Sequence, residues 1–384
     1  EIGSKKMPSR RLLGSFENVK RKVCSHPYFG GETIKDPGQK ARVHNGNEFP
    51  RSLINCLGGI IIIYSSVLDL IGQTPIVKLN RLRDPNGAEL FVKLEGFNPG
   101  GSMKDRTAKW LIESAEAAGL IRKGSTIIES SSGNLAIGLA LVARVKGYKL
   151  ICVVDPKISE MNLQLLEALG AEVRMVHQCD EHGNYLAARI ELVKQLCESI
   201  ENAFWTNQYA NPANPQAHQF WTAREIYEEF GSDLDWVVVP VGTAGLATGC
   251  SMGLKSLIPS IKILCVDAIG SVTFGCKPGK RYLVGIGSAI VPENLKPELY
   301  DRVTHVGDYQ AFQMCRRLAL EEGLLVGGSS GAAIYAALEL SKTLSPGQKV
   351  LAILPDRGEK YYNTIFSDSW WEKTGISELS TTHL

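Results

Sequence analysis

From Val67 onward, short runs of apolar and β-branched residues alternate with longer stretches whose apolar positions recur at helical spacing. The runs predict strands at 90–94, 126–129, 149–154, 172–176, 236–241, 262–267 and 349–354. The longer stretches predict helices at 104–118, 135–146, 161–169, 186–198, 215–230, 309–322 and 330–342. Such alternation marks an α/β protein with mostly parallel sheets. No internal repeat or low-complexity tract interrupts it. The segment 270–287, GSVTFGCKPGKRYLVGIG, is a long loop punctuated by glycine, a length that in a compact domain points to function or mobility.

With 384 residues, 44% of them hydrophobic and 21% charged, the chain can bury a sizeable core in two lobes. A net charge of only +2, without a basic stripe in the main body, makes nucleic acid an unexpected partner. The nine cysteines include no C-x-x-C pair and no Cys/His ligand spacing, so no metal is expected. Cys152 in KLICVVD and Cys265 in KILCVD read as small buried hydrophobes, and the odd count favours reduced thiols in the cytoplasm. The apolar stretch around 60–63 falls far short of the roughly 18 apolar residues of a membrane span. Before it, the first 51 residues carry eleven Lys/Arg against five Asp/Glu and no sustained period. Residues 1–61 therefore read as a basic, loosely ordered extension without the pattern of a secretory signal, a targeting role staying open. Residues 372–384 read as a tail.

Ligands of open α/β sheets gather where strands end and helices begin, because backbone N–H groups there favour anions. Four Gly/Ser-rich segments sit at such junctions: NPGGSMKD at 98–105, SSSGNLA at 130–136, VGTAGLATG at 241–249 and VGGSSGAA at 326–333. None fits a dinucleotide fingerprint or a P-loop. Lys104 follows two glycines and a serine at the mouth of a helix, where desolvation and the helix dipole both lower an amine pKa and suit Schiff-base chemistry. Taken alone, a lysine in such a loop reads as a solvated charge, so the assignment rests on what surrounds it.

The motifs NPGGSMKDR, ESSSGN, NQYANPANPQAH, GTAG, GIGS, GGSSGAA and ILPDRG occur in one order over residues 62–371. In this the chain resembles the cysteine synthase and cystathionine β-synthase family. The resemblance implies the fold-type-II pyridoxal 5'-phosphate architecture, tryptophan synthase β-like, with two open twisted α/β domains, 62–212 and 213–371, and the cofactor between them. It implies that Lys104 carries the cofactor and removes the substrate α-proton. It makes Gly242, Thr243, Ala244, Gly245 and Leu246 the phosphate cradle, departing from the commoner G-T-G-G-T at Ala244 and Leu246 and so losing one hydroxyl donor. Ser329 resembles the hydroxyl facing the pyridine nitrogen, and Asn134 the amide that bonds the cofactor's 3-oxygen. Ser131, Ser132, Gly133, Asn134 and Leu135 resemble the substrate-carboxylate loop, with Gln208 beside it. Ser132 is also readable as a helix N-cap, and Leu135 stands where the family has a threonine. The resemblance further implies a homodimer, for which the apolar positions of 312–320 offer a contact face.

All family members would share β-replacement through an aminoacrylate. The segments DPKIS, DEHGNYLAARI, DAIGSVTFG and ILPDRGEKYY most resemble the branch that joins O-phospho-L-serine to L-glutamate, giving N-(2-amino-2-carboxyethyl)-L-glutamate, a 2,3-diaminopropionate precursor in siderophore biosynthesis. Lys277, Lys280 and Arg281 near the expected mouth suit a dianionic leaving group, whereas Ile290 stands where phosphoserine users place an arginine. Tyr185 and His182 are candidates for the second substrate or for simple packing. The alternatives are a cysteine synthase acting on O-acetylserine, a cystathionine β-synthase, and a non-catalytic scaffold of the same fold.

Overall fold

In a computed structural model, which describes residues 63–181 and 183–377, ten strands form. They are β1 (Ile76–Lys78), β2 (Glu89–Leu94), β3 (Thr126–Glu129), β4 (Lys149–Val154), β5 (Glu172–Met175), β6 (Ala203–Trp205), β7 (Trp236–Pro240), β8 (Lys262–Ala268), β9 (Arg302–Val306) and β10 (Lys349–Leu354). The helices are α1 (Lys104–Ala117), α2 (Asn134–Lys146), α3 (Glu160–Ala168), α4 (Leu186–Ser199), α5 (Ala213–Ala217), α6 (Ala223–Phe230), α7 (Gly245–Leu257), α8 (Asp308–Arg317), α9 (Gly328–Ser341) and α10 (Asp368–Thr374). Residues 1–62, with Cys24, His26 and Cys56, as well as His182 and the tail from 378, lie outside the described residues.

Two sheets result. The larger has the order β1-β2-β10-β7-β8-β9 and the smaller β5-β4-β3-β6, every pair parallel except β1 with β2. Both belong to one compact unit. Because side chains alternate across a strand, each sheet feeds a core on either face. Trp236 and Val238 join Leu264, Val350 and Ala352 in one core, while Val237 and Val239 join Ile263, Cys265 and Leu351 in the other. In the small sheet Ile127, Leu150 and Cys152 face one side and Ile128, Ile151 and Val153 the other. The three strands absent from the sequence pattern, β1, β6 and β9, are sheet edges with half-exposed positions, so they lack the run of apolar residues that two-sided burial imposes.

The helix expected at 215–230 is α5 and α6 joined by a π-helical turn at His218–Thr222. The helix expected at 309–322 likewise passes from α8 into a π-helical turn, Leu318–Glu322. Here one expectation is corrected. Phe312, Met314, Cys315 and Leu318 turn inward onto the core shared with α9, which leaves only Leu320, 85% exposed, of the contact face expected at 312–320. An amphipathic helix spends its apolar stripe once, and this one spends it inside. Among the described residues, no helix is long and apolar enough to cross a membrane, and no cluster of three or more His, Cys, Asp or Glu is arranged to hold a metal.

Candidate active site

The C-terminal ends of strands from both sheets open onto one cleft of about 420 Å3. Lys104 is the first residue of α1 and lines it. The turn that delivers Lys104 is pinned across the cleft floor: Ser102 bridges Asp356, and the Met103 N–H donates to the Pro355 carbonyl at 2.8 Å. The amine reaches Thr243 Oγ1 at 3.5 Å. Burial pushes its pKa down to about 8, against the opposing pull of the Glu129 carboxylate. Glu129 ends β3, fully buried, accepts from Thr206 Oγ1 at 2.5 Å, and is itself shifted upward by burial.

Opposite Lys104, the loop after β7 enters α7 through Ala244, which sits at φ 61°, ψ −7°. A left-handed residue followed by a helix start turns successive N–H groups toward one point, an anion-binding nest. Close packing fixes this turn. A Cβ on Gly245 would lie 2.1 Å from Asn214 Oδ1, and Asn214 donates to both the Gln208 carbonyl (2.7 Å) and Thr243 Oγ1 (3.0 Å). Behind it, Thr107 Oγ1 meets His218 Nε2 at 3.1 Å, and burial together with Lys104 and Arg106 holds that imidazole well below its usual pKa, in the neutral form.

Nearly all the sequence candidates converge on this cleft. Ser131, Ser132, Gly133, Asn134, Leu135, Gln208, Gly242, Thr243, Ala244, Gly245, Leu246 and Ser329 line it with Lys104. Gly133, not Ser132, is the N-cap of α2, and it makes no side-chain cap bond. Leu135 and Leu246 bury their side chains in the cores, so backbone N–H groups are what they offer a ligand. Tyr185 is not in the wall. Its ring instead lies 5.4 Å from Lys157 Nζ, and Lys157 does line the cleft. Of the basic residues expected at the mouth, Arg281 donates to the Gly270 carbonyl at 3.0 Å and Lys280 lies over Tyr282; neither they nor Lys277 nor Ile290 lines the cleft. Loop 270–287 nonetheless rims it through Tyr282, Val284, Gly285 and Gly287, held by the Asp308 carboxylate on the Tyr282 and Leu283 N–H groups.

The sequence reading missed Lys157, Asp356, Lys360 and Tyr361. Asp356 is buried at the end of β10, where its Oδ2 accepts from Asn134 Nδ2 (2.8 Å) and Tyr361 OH (2.7 Å). Lys360 Nζ donates to Asn134 Oδ1. The available signal was DRGEKYY directly after an apolar strand, charges placed where a parallel sheet opens to ligands.

A model of the pyridoxal-phosphate-dependent enzymes matches residues 67–356. The chain belongs to that family. Among solved structures, a hydrogen sulfide-producing enzyme from Fusobacterium nucleatum is 38% identical with a TM-score of 0.75, covering 79% of this chain and 100% of its own. O-ureido-L-serine synthase is 33% identical, TM-score 0.74, covering 81% and 100%. An O-acetylserine-dependent cystathionine β-synthase from Helicobacter pylori is 37% identical, TM-score 0.73, covering 79% and 99%. The protein is thus a fold-type-II pyridoxal-phosphate enzyme of the cysteine synthase and cystathionine β-synthase type, built of two α/β domains, as its sequence motifs implied.

The residues present fit this cofactor. A nest at the start of α7 suits a phosphate dianion, and an amine of lowered pKa stands across from it. Ser329, buried in the first turn of α9, adds a hydroxyl on the cleft wall.

Proposed function

We propose that this enzyme replaces the β-substituent of a serine-derived amino acid, converting O-phospho-L-serine and L-glutamate into N-(2-amino-2-carboxyethyl)-L-glutamate and phosphate. The observation that carries this reading is the presence of three lysines, Lys104, Lys157 and Lys360, on one cleft wall. A dianionic leaving group and a dicarboxylate nucleophile both require cationic surroundings, and Lys157 and Lys360 keep positive charge on the cleft beside Lys104 while donating to the Gly183 carbonyl and to Asn134 Oδ1. Pyridoxal phosphate, when bound, supplies the electron sink that lets an amino acid lose its α-proton and then its β-substituent.

The chain's own residues do the remainder. Gly242 to Leu246 hold the cofactor phosphate, with Thr243 Oγ1 the hydroxyl within reach of Lys104. Lys104 Nζ, neutral in good part near its pKa of about 8, takes the proton from the substrate α-carbon and later returns one. Ser329, on the cleft wall, would meet the ring nitrogen of the bound cofactor, where a neutral hydroxyl does not force protonation as a carboxylate would. Backbone N–H groups from Ser131 to Leu135 take the substrate carboxylate, with Gln208 alongside. Across the reaction the carbon–oxygen bond to phosphate breaks, a bond from the same carbon to the glutamate nitrogen forms, and the proton the nitrogen gives up goes to the departing phosphate, which leaves as hydrogen phosphate. The enzyme works as a cytoplasmic homodimer in this proposal.

A second reading, addition of sulfide or a thiol to O-acetylserine, is favoured by the likeness to the hydrogen sulfide-producing and O-acetylserine-dependent enzymes and by the absence of Lys277, Lys280 and Arg281 from the cleft wall. Steady-state assays of the holoenzyme separate the two. Phosphate release from O-phospho-L-serine, dependent on L-glutamate, should exceed in kcat/KM the formation of cysteine from O-acetylserine and sulfide; the reverse ranking overturns the proposal. Lys104→Ala should lower kcat by on the order of 10²–10⁴-fold and remove the visible absorbance of the lysine-bound cofactor.

A further inference from the structure

The Asn134 carboxamide is gripped from both ends. It stands on the first residue of α2, at the opening of the small sheet, whereas its two partners follow β10 of the large sheet, 222 and 226 residues away. Its oxygen accepts from Lys360 Nζ, and one of its two N–H groups donates to Asp356 Oδ2 at 2.8 Å. An ammonium donates and never accepts, so a flipped amide would set N–H against N–H at Lys360 and oxygen against oxygen at Asp356. The orientation is therefore dictated by the partners.

Asp356 is itself held. Tyr361 OH donates to the same Oδ2 at 2.7 Å, and the backbone at 356 bridges Ser102, two residues before Lys104. Its Oδ1 is buried with no partner among the described residues, and a Cβ on Gly327 would stand 2.2 Å from it, so no side chain can crowd the carboxylate there. Lys360 has no carboxylate within ion-pair distance among the described residues, although Asp356 and Asp105 both act on it through space. With the oxygen and one N–H committed, the amide keeps a second N–H, and Asn134 lines the cleft.

We propose that Lys360 and Asp356 are positioning residues that lock the Asn134 carboxamide in one orientation, so that its second N–H is presented to the cofactor. The inference rests on the reading of Asn134 as a cofactor-binding residue and extends it to two residues that reach across from the other sheet. Holding a first-contact group in its productive rotamer before the ligand arrives removes an ordering cost from binding. Cofactor affinity is therefore where the clamp is read.

The test is a double-mutant cycle on Asn134→Ala and Lys360→Met, with pyridoxal phosphate titrated into each apoenzyme and the holoenzyme spectrum recorded. Each single change should weaken cofactor binding by about tenfold, and the double variant should be no weaker than either, a coupling of roughly tenfold. The absorbance band should shift alike in both singles. Lys360→Arg, which keeps the charge and a donor, should restore most of the affinity, and Asp356→Asn, which can still accept, should fall between. Lys360→Ala is run beside Lys360→Met, and thermal melts confirm that each variant folds. If the losses at Asn134 and Lys360 instead multiply, Lys360 does not act through Asn134 and the clamp is wrong. If Asn134→Ala binds and absorbs as the unaltered protein does, Asn134 does not meet the cofactor and the clamp falls with that assignment. Neither outcome touches the substrate assignment, which phosphate release decides separately.

Discussion

Two buried polar clusters, both built from carboxylates and cations and both reaching to α1, end in opposite states. Beneath α1, Arg106 and Lys93 meet Glu95 and Glu225. Arg106 spans Glu95 (2.7 and 2.9 Å) and Glu225 (2.5 and 2.7 Å), Lys93 reaches Glu225 at 2.8 Å, and Thr74 donates to Glu95 at 2.8 Å. Two cations balance two carboxylates. Beside the cleft, which Asn134 and Lys360 line, Asp105 and Asp356 join those two residues in a looser set in which Asp105 Oδ1 and Asp356 Oδ1 are buried without a partner among the described residues. Their carboxyl pKa values move apart accordingly. Arg106 and Lys93 hold Glu95 and Glu225 low despite burial, whereas burial pushes Asp105 up to about 7 and raises Asp356 too. A closed cluster is a scaffold that keeps β2, α1 and α6 in register, and an unclosed one beside a cleft marks where the fold spends stability on function.

The largest expected effect tests the closed cluster. Arg106→Met leaves two buried carboxylates sharing one lysine and should cost about 3–5 kcal/mol in urea unfolding of the apoenzyme. Lys360→Met, by contrast, should cost no more than about 1 kcal/mol, because its neighbourhood is already incomplete and open to the cleft. Equal costs would dissolve the contrast between the two clusters.

The next effect concerns the sign of pH dependence. A carboxyl held low in the folded protein contributes stability present above its unfolded pKa and lost as pH falls, which is the behaviour expected of Glu95 and Glu225. Asp105 does the reverse. Raised from 3.8 to about 7, it binds a proton in the folded state that the unfolded chain has released, so its contribution declines as pH rises between those values. Asp105→Asn should match the unaltered apoenzyme near the acidic end of that window and exceed it by on the order of 2 kcal/mol at its top. Its amide oxygen can still accept from the Gly100 N–H, the bond that Asp105 makes at 2.5 Å. A difference that stays flat with pH, in denaturation followed across the window, would place Asp105 outside the unclosed set.

This contrast also explains what the sequence could and could not convey. Strands buried on both faces, such as β7 with its unbroken WVVVP, declare themselves in the residue pattern, and the edges β1, β6 and β9 do not. Glycine- and serine-rich turns at strand ends mark Lys104, Ser131 to Leu135, Gly242 to Leu246 and Ser329 because the constraint is local to each turn. The clamp on Asn134 has no such signature: it joins residues more than 200 positions apart, and no periodicity encodes that pairing. Lys277, Lys280 and Arg281 misled for the converse reason. Nearness in sequence to a functional loop drew attention to them, yet Arg281 serves a carbonyl of that loop and Lys280 covers Tyr282.

The smallest effect lies in the cradle itself. Ala244 occupies the left-handed region at φ 61°, where a Cβ costs roughly 1–2 kcal/mol and glycine pays nothing for its side chain. Glycine also loses more backbone freedom on folding, which offsets part of the relief. Ala244→Gly should therefore stabilise the apoenzyme by about 0.5–1 kcal/mol, seen as a higher urea midpoint with an unchanged slope. Cofactor affinity should move the other way, because a glycine holds the nest less firmly before phosphate arrives, with a loss of under about threefold in the dissociation constant. A lower midpoint would mean that the left-handed turn is not strained and that the surrounding contacts of Asn214 and Gly245, rather than residue 244, set its shape. A higher midpoint with weaker cofactor binding would place Ala244 with Asp105 and Asp356, among the groups that the folded chain holds at a cost because the cleft uses them.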